Sequence, residues 1–254
     1  MTRIIMNGCN GKMGKVISEL CKGDSEAVIA AGIDVGGGIQ EDYTVYANLT
    51  DCDVEADVVI DFSSPKAMDA LFAYCEKKHL PLVLCTTGLS EEQNLSAREL
   101  SKKVAVLQSA NMSLGINLLL SLIQEAAQIL APAGFDMEII EKHHRQKVDA
   151  PSGTALALAD SLNQALTKPY VYNYDRSKER QPRAEQEIGI QAVRGGTIVG
   201  EHEVIFAGID EVISFSHTAY SKNIFAKGAV EAAKFLNGQS AGFYGMADVI
   251  GGKK

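Results

Sequence analysis

The chain has 254 residues, 46% of them hydrophobic and 22% charged, with a formal net charge of -8 at pH 7. That length holds one large domain or two modest ones with real cores, and the apolar share excludes a disordered chain. The acidic balance disfavours nucleic acid and membrane as partners, because phosphate backbones and anionic lipid both call for a net basic face.

Thr2-Arg3 is followed by the short apolar run Ile4-Ile5-Met6 and then glycine, too brief for a signal peptide's apolar core. Arg3–Asn7 reads as a strand and Lys12–Lys22 as a helix. Val28–Ile33 is a second apolar run, ending at Asp34 before a flexible Gly36-Gly37-Gly38. Ala56–Phe62 reads as a buried strand, and Pro65 starts a helix that runs to Lys78. Leu80–Cys85 and Val104–Leu107 are strands on either side of a charged helix, Glu91–Lys103. This alternation predicts a parallel sheet with right-handed crossovers.

After Asn111 the pattern changes. Met112–Leu130 is the longest apolar stretch, but Asn117, Gln124, Glu125 and Gln128 interrupt it. It reads as a buried amphipathic helix, not a bilayer span. Phe135–Glu141 is a strand, a polar loop follows, and Ser152–Leu166 is a helix. Lys168–Ala184, with Pro169 and Pro182, reads as a loop or arm. Ile188–Val193, Glu203–Ala207 and Val212–His217 are strand-like runs separated by glycine-containing turns, which predicts antiparallel pairing between neighbours. A last helix, Asn223–Asn237, precedes a glycine-rich tail. The fold class is α/β, with a parallel-sheet domain over 1–112 and an α+β domain with a mixed or antiparallel sheet over 113–220. Residues 221–254 form a helix and tail that pack back on the first domain. The five cysteines (Cys9, Cys21, Cys52, Cys75, Cys85) contain no C-x-x-C pair. They read as small buried residues of a reducing compartment, which predicts a cytoplasmic protein.

Two segments carry chemistry. Gly8-Cys9-Asn10-Gly11-Lys12-Met13-Gly14 follows the first strand and opens the first helix, with spacing G-x-x-G-x-x-G. Glycines permit the tight turn and let backbone approach a pyrophosphate, and the helix N-terminus offers that anion its N–H groups. Asp34 closes the second strand, where a carboxylate accepts hydrogen bonds from an adenosine ribose. Asp34 would repel a 2′-phosphate and Val35 cannot pair with one, which favours NADH, while Lys12 leaves NADPH open as an accepted cofactor.

The second segment runs Glu141-Lys142-His143-His144-Arg145-Gln146-Lys147-Val148-Asp149-Ala150-Pro151-Ser152-Gly153-Thr154-Ala155. It gathers cationic groups in an acidic chain and ends at a helix start, where the backbone N–H groups of Ser152, Gly153 and Thr154 suit a carboxylate. A His and a Lys beside such a site can donate protons. The adjacent histidines are not read as a metal site, because H-E-x-x-H is absent and no cysteine lies near. Ser152 doubles as a helix cap.

From His143 to Ala155 the chain closely resembles the 4-hydroxy-tetrahydrodipicolinate reductase (dihydrodipicolinate reductase) family. Gly8–Gly14 resembles that family's cofactor loop, and Cys85-Thr86-Thr87-Gly88 its nicotinamide-side turn, where the first position is more often Gly. Ser109-Ala110-Asn111-Met112-Ser113 resembles the next cofactor loop, and Arg194-Gly195-Gly196 with Gly200-Glu201-His202 a late substrate-domain signature. The resemblance implies a Rossmann-like first domain and makes His143 a proton donor or acceptor and Lys147 a second donor. It gives His144, Gly153 and Thr154 to a substrate carboxylate. The cofactor falls to Gly8, Cys9, Asn10, Gly11, Lys12, Met13, Asp34, Thr86, Thr87, Gly88, Ser109, Ala110, Asn111 and Met112. The family's acid is commonly followed by a basic residue, from which Val35 departs. A homotetramer assembled through second-domain sheets, acting on a small dicarboxylate, is also implied.

Two rival readings come from other classes. A short-chain dehydrogenase needs Tyr-x-x-x-Lys; Tyr174–Lys178 and Tyr74–Lys78 both match, with Ser161 upstream of the first. Tyr174 sits in a polar segment without a helical apolar face, and the glycine spacing differs. A dinucleotide-sensing module without turnover needs the glycine loop and Asp34 but has no use for His143 and Lys147.

Overall fold

The structure is a computed structural model and describes residues 1–39, 42–177 and 180–251. The chain divides into two compact units, 1–114 with 223–254, and 115–222.

The first segment of the first unit runs β1 (Thr2–Asn7), α1 (Lys12–Lys22), β2 (Ala27–Ile33), β3 (Gly38–Ile39), β4 (Thr44–Tyr46), β5 (Val58–Asp61), α2 (Met68–Lys78), β6 (Leu82–Leu84), α3 (Glu91–Leu100) and β7 (Ala105–Gln108). The second unit holds α4 (Leu114–Leu130), β8 (Asp136–His143), α5 (Gly153–Ala165), β9 (Val171–Asn173), β10 (Glu187–Arg194), β11 (Gly200–Ala207) and β12 (Val212–Ala219). The chain then returns to the first unit with α6 (Asn223–Leu236), β13 (Gly242–Tyr244) and α7 (Met246–Gly251).

In the first unit the strand order is β13-β7-β6-β5-β1-β2-β4-β3, all parallel except β3 against β4. Helices cover both faces, so central strands are apolar without alternation: Ile4, Ile5 and Met6 of β1 and Val58, Val59 and Ile60 of β5 are all fully buried. From β1 the chain runs outward to β2 on one side and through β5, β6 and β7 on the other, which makes β1/β5 the switch point where such sheets bind ligands. A capping box starts α3, with Gln93 N–H donating to Ser90 Oγ at 3.1 Å and Ser90 N–H to Gln93 Oε1 at 3.0 Å. The helix stops at Leu100, not Lys103, and Pro65 opens a single 3-10 turn before α2. Within the glycine-rich tail β13 extends the sheet edge at β7, and Arg98 stacks its guanidinium 4.5 Å from the Phe243 ring.

In the second unit the order is β12-β11-β8-β10-β9. Here the expected neighbour pairing holds for β11–β12 alone. β10 runs parallel to β8, and β8 stands between β10 and β11, antiparallel to β11. The 195–199 turn therefore arches over the end of β8, where Gly195 N–H donates to the His143 carbonyl at 2.9 Å. The arm at 168–184 contributes a short edge strand, β9, clasped by Arg176 ion pairs to Glu138 and Glu187. The α4 stretch buries Leu119, Ile123 and Ala127, while Leu118, Leu122 and Ile129 stay exposed.

Candidate active site

Alternation along β8 decides what its last turn presents. Met137, Ile139, Glu141 and His143 share the face under α5, so the stripe that begins as core ends in an acid and an imidazole. Across from them, β11 buries His202 opposite Glu141.

Glu141 is fully buried and is the hub of the site. Arg194 forks onto both its oxygens, at 2.7 Å and 2.6 Å. His143 Nδ1 lies 2.6 Å from Oε2, and Ser152 N–H donates to Oε1 at 2.9 Å. Burial pushes the Glu141 carboxyl up, but the hydrogen bonds from Arg194, His143 and Ser152 outweigh it and hold it below the usual range. An ionised carboxylate only accepts, so His143 carries its proton on Nδ1 and turns Nε2 to the site. Gly200 leaves room for that nitrogen, since a Cβ there would lie 3.1 Å from it.

Ser152 ties the hub to α5. Its Oγ accepts from Ala155 N–H at 3.1 Å, capping the helix, and meets His202 Nε2 at 3.0 Å. Burial first, and then the neighbouring His143, lower the His202 pKa to about 4, so its imidazole is neutral at pH 7. Just outside, Lys147 Nζ holds the Asp149 carboxylate at 2.8 Å and 2.9 Å. His144 is half-buried, and its Nδ1 has no hydrogen-bond partner among the described residues.

The residues expected to hold a dinucleotide lie in the first unit. Gly8 has φ +85°, and a Cβ on it would sit 2.6 Å from the Phe62 carbonyl oxygen, while one on Gly14 would sit 2.3 Å from the Gly8 carbonyl oxygen. Gly11 caps α1 with no side chain over the first-turn N–H groups. A crevice of about 740 Å³ is lined by Gly8, Gly11 and Asp34 together with Asn7, Phe62 and Ser63. Asp34 Oδ2 accepts from Asn10 N–H at 3.2 Å, and Val35 is 94% exposed. Lys12 lies exposed in the first turn of α1. The Cys9 and Met112 side chains belong to the core and that of Met13 packs against it, which leaves their backbone as the part a ligand could meet. Thr86, Thr87 and Gly88 follow β6, and Ser109, Ala110, Asn111 and Met112 follow β7, at the same carboxyl edge but outside that crevice. A crevice of this shape at the switch point fits a dinucleotide.

The dehydrogenase alternative finds no site among the described residues. Tyr74 is buried in α2 and donates to the Cys52 carbonyl at 3.1 Å. Ser161 donates to the Leu120 carbonyl at 3.0 Å, Tyr174 is half exposed, and Lys178 lies outside the described residues. Sequence reasoning gave no role to Glu141 and none of its own to Arg194 within its motif, and the Ser152 N–H that it offered to a substrate carboxylate is taken by Glu141. The available signal was an acid two residues before a histidine in a strand whose alternate positions are apolar.

Fold and glycine loop place the chain among the nicotinamide-dinucleotide oxidoreductases. Residues 2–112 match the model for "Dihydrodipicolinate reductase, N-terminus" and residues 115–250 that for "Dihydrodipicolinate reductase, C-terminus". The chain belongs to the dihydrodipicolinate reductase family. It is 52% identical over 250 residues, covering 98% of each chain, to the 4-hydroxy-tetrahydrodipicolinate reductase of Caldanaerobacter subterraneus subsp. tengcongensis. To that of Clostridium novyi it is 49% identical over the full length of both. Among solved structures it resembles a dipicolinate-bound dihydrodipicolinate reductase from Paenisporosarcina sp. TG-14, with a TM-score of 0.82 over 98% of this chain and 99% of that one. At 23% identity, that likeness is one of fold.

Proposed function

We propose that the chain reduces 4-hydroxy-tetrahydrodipicolinate, by way of dihydrodipicolinate, to tetrahydrodipicolinate in lysine and diaminopimelate biosynthesis. The two relatives are named for that substrate. The observation that carries the substrate site is a carboxylate already seated there. Asp149 lies on Lys147, and first the Lys147 ammonium, then its own backbone N–H and last that of Gly153 hold its carboxyl below the usual range. A substrate carboxylate takes the same ammonium and helix N-terminus, with Thr154 and His144 beside it.

Gly8 to Met13, Asp34, Thr86 to Gly88 and Ser109 to Met112 would hold the dinucleotide. When bound, it supplies hydride to C4 of the conjugated cyclic imine formed as the 4-hydroxyl leaves as water. Reduction leaves the adjacent ring carbon electron-rich, and His143 Nε2 delivers a proton to it. Glu141 fixes the imidazole tautomer and supports the charge that His143 carries before it gives the proton up. Arg194 and the Ser152 N–H keep Glu141 ionised and in place. Lys147 neutralises substrate charge and serves as second proton donor. NADH is the preferred reductant and NADPH is accepted, on the strength of Asp34 and the uncharged Val35.

The enzyme works in the cytoplasm, a reading supported by its five free cysteines. It assembles as a homotetramer through the second unit's sheet, where Val212 and Ile213 of β12 stand exposed. Light scattering on the purified protein reads that mass directly.

The test follows NADH, and separately NADPH, with substrate generated in place from pyruvate and aspartate semialdehyde by the preceding synthase. Oxidation that requires both proteins is expected, faster with NADH. Lys147→Ala is expected to lower kcat and raise KM together. Cofactor binding without any oxidation would refute the substrate and leave a sensing module.

A further inference from the structure

Asp61 ends β5 at the switch point, in register opposite Asn7, the last residue of β1. It is fully buried, and no cation faces it among its described hydrogen-bond partners. Its Oδ1 accepts from Asn7 Nδ2 at 2.7 Å, Ser63 Oγ at 2.6 Å and Ser63 N–H at 3.3 Å. Its Oδ2 accepts from Thr86 Oγ1 at 2.6 Å. One carboxylate thus joins the residue before the glycine loop, a wall of the crevice and the first threonine after β6. A buried anion with no counter-charge is costly, and burial does push its carboxyl up. A cost of this kind, sited between loops and not in the core below them, points to a task in the loops.

The task follows from Thr86. A hydroxyl has one hydrogen and two lone pairs. With the hydrogen committed to Asp61, Thr86 can offer a ligand only an acceptor. We propose that Asp61 is a positioning residue that fixes Thr86 as a hydrogen-bond acceptor for the carboxamide N–H of the nicotinamide, and so sets which pyridine ring the site takes. This rests on the cofactor reading above, in which Thr86 meets the nicotinamide.

Substitution by Asn reverses the polarity. Three donors converge on Oδ1 and one on Oδ2, so the new amide nitrogen takes the Oδ2 place. The Thr86 hydroxyl must then accept from it and turn its own hydrogen outward.

The probe is reduced 3-acetylpyridine adenine dinucleotide, whose acetyl methyl stands where the carboxamide has its N–H. Calorimetry on the full chain compares its Kd with that of NADH. Wild type is expected to prefer NADH by about tenfold, the scale of one hydrogen bond in an enclosed site. Asp61→Asn and Thr86→Val should each bring that ratio near one, while Thr86→Ser keeps it. Should Asp61→Asn fail to fold, Thr86→Val carries the test, since it leaves the Asn7 and Ser63 donors in place. Equal affinities in wild type, or an unchanged preference in Asp61→Asn or Thr86→Val, would overturn the proposal. A wild type that binds neither dinucleotide defeats the cofactor reading itself, and the proposal falls with it.

Discussion

Each unit carries a fully buried carboxylate in a central strand, Asp61 at the end of β5 and Glu141 two residues before the end of β8, and the two are held in opposite ways. Glu141 sits among an arginine fork, an imidazole and a backbone N–H, and its carboxyl is held low. Asp61 sits among two hydroxyls, an amide and a backbone N–H, and its carboxyl is pushed up. Guanidinium and backbone donors cannot change polarity; hydroxyls can, by rotating. The first environment makes a rigid electrostatic anchor for His143, to which the proposed mechanism gives the proton. The second makes an adjustable one, which orients neutral groups toward a ligand. Burial alone does not tell what a carboxylate is for; the kind of donor around it does.

The contrast breaks most sharply on removal of charge at Glu141. A Gln there places an amide nitrogen against an Arg194 N–H donor, and leaves the part-buried Arg194 beside a neutral partner. Breaking one side of such a pair costs about 3–5 kcal/mol. Glu141→Gln is therefore expected to lower Tm by about 10 °C, at about 2–4 °C per kcal/mol for a chain of this size. It should also cut kcat by at least about a hundredfold through loss of the ordered imidazole. Thermal unfolding and steady-state rates check both. A variant with wild-type kcat would remove Glu141 from the mechanism. Asp61→Asn, whose hydroxyl neighbours can turn to accept, should unfold within a few degrees of wild type.

Acidification sharpens the difference, because the two groups carry opposite linkage. The folded carboxyl of Glu141 is held below its unfolded value, so its stabilisation is full above the unfolded range and is lost as pH falls through the folded one. The folded carboxyl of Asp61 is raised, so the native state gains from protonating it. As pH falls below the ordinary glutamate value, about 4.3, the Tm advantage of wild type over Glu141→Gln should shrink. As pH falls towards the ordinary aspartate value from above, wild type should gain on Asp61→Asn. Slopes of the same sign in the two series would mean that one of the two environments has been misread.

Much of this was legible in the sequence, for local reasons. The glycine loop, its strand and its helix are set by short-range demands: φ above zero at Gly8, close backbone approach at Gly14, an apolar stripe at Ile17 and Cys21. Lys12–Lys22 forms as read, and Ser152 caps α5 where the helix was expected to begin. The family's motifs were visible because they are contiguous. What stayed hidden is non-local. Glu141 and Arg194 are 53 positions apart, and they meet only because β8 inserts between β10 and β11. The glycine turns gave no sign of that insertion, since a turn arching over a strand and a hairpin turn look alike in composition. Asp61 and Thr86 likewise depend on the parallel register of β5 and β6. The strand within the tail went unread because three residues, Gly242–Tyr244, make a strand only against an edge already formed by β7.

A third carboxylate, Asp149, extends the contrast to a group half open to water. Its side chain is 51% exposed and pairs with Lys147, itself 21% exposed. Solvent screens such a pair, so its contribution to stability is small. On the proposed reading of the site its effect falls on binding, because a substrate carboxylate would have to displace it from Lys147 and the start of α5. Asp149→Asn removes the competitor while leaving Arg194 its hold on the Asp149 backbone carbonyl at 2.7 Å. Freed from that competition, the site should bind substrate more tightly by about threefold, the value of an exposed ion pair. KM falls and kcat stays near wild type, with Tm unchanged within about 1 °C. A KM that rises instead would make Asp149 a support for Lys147 and not its occupant, and the carboxylate site would then have to be redrawn around His144 and Thr154.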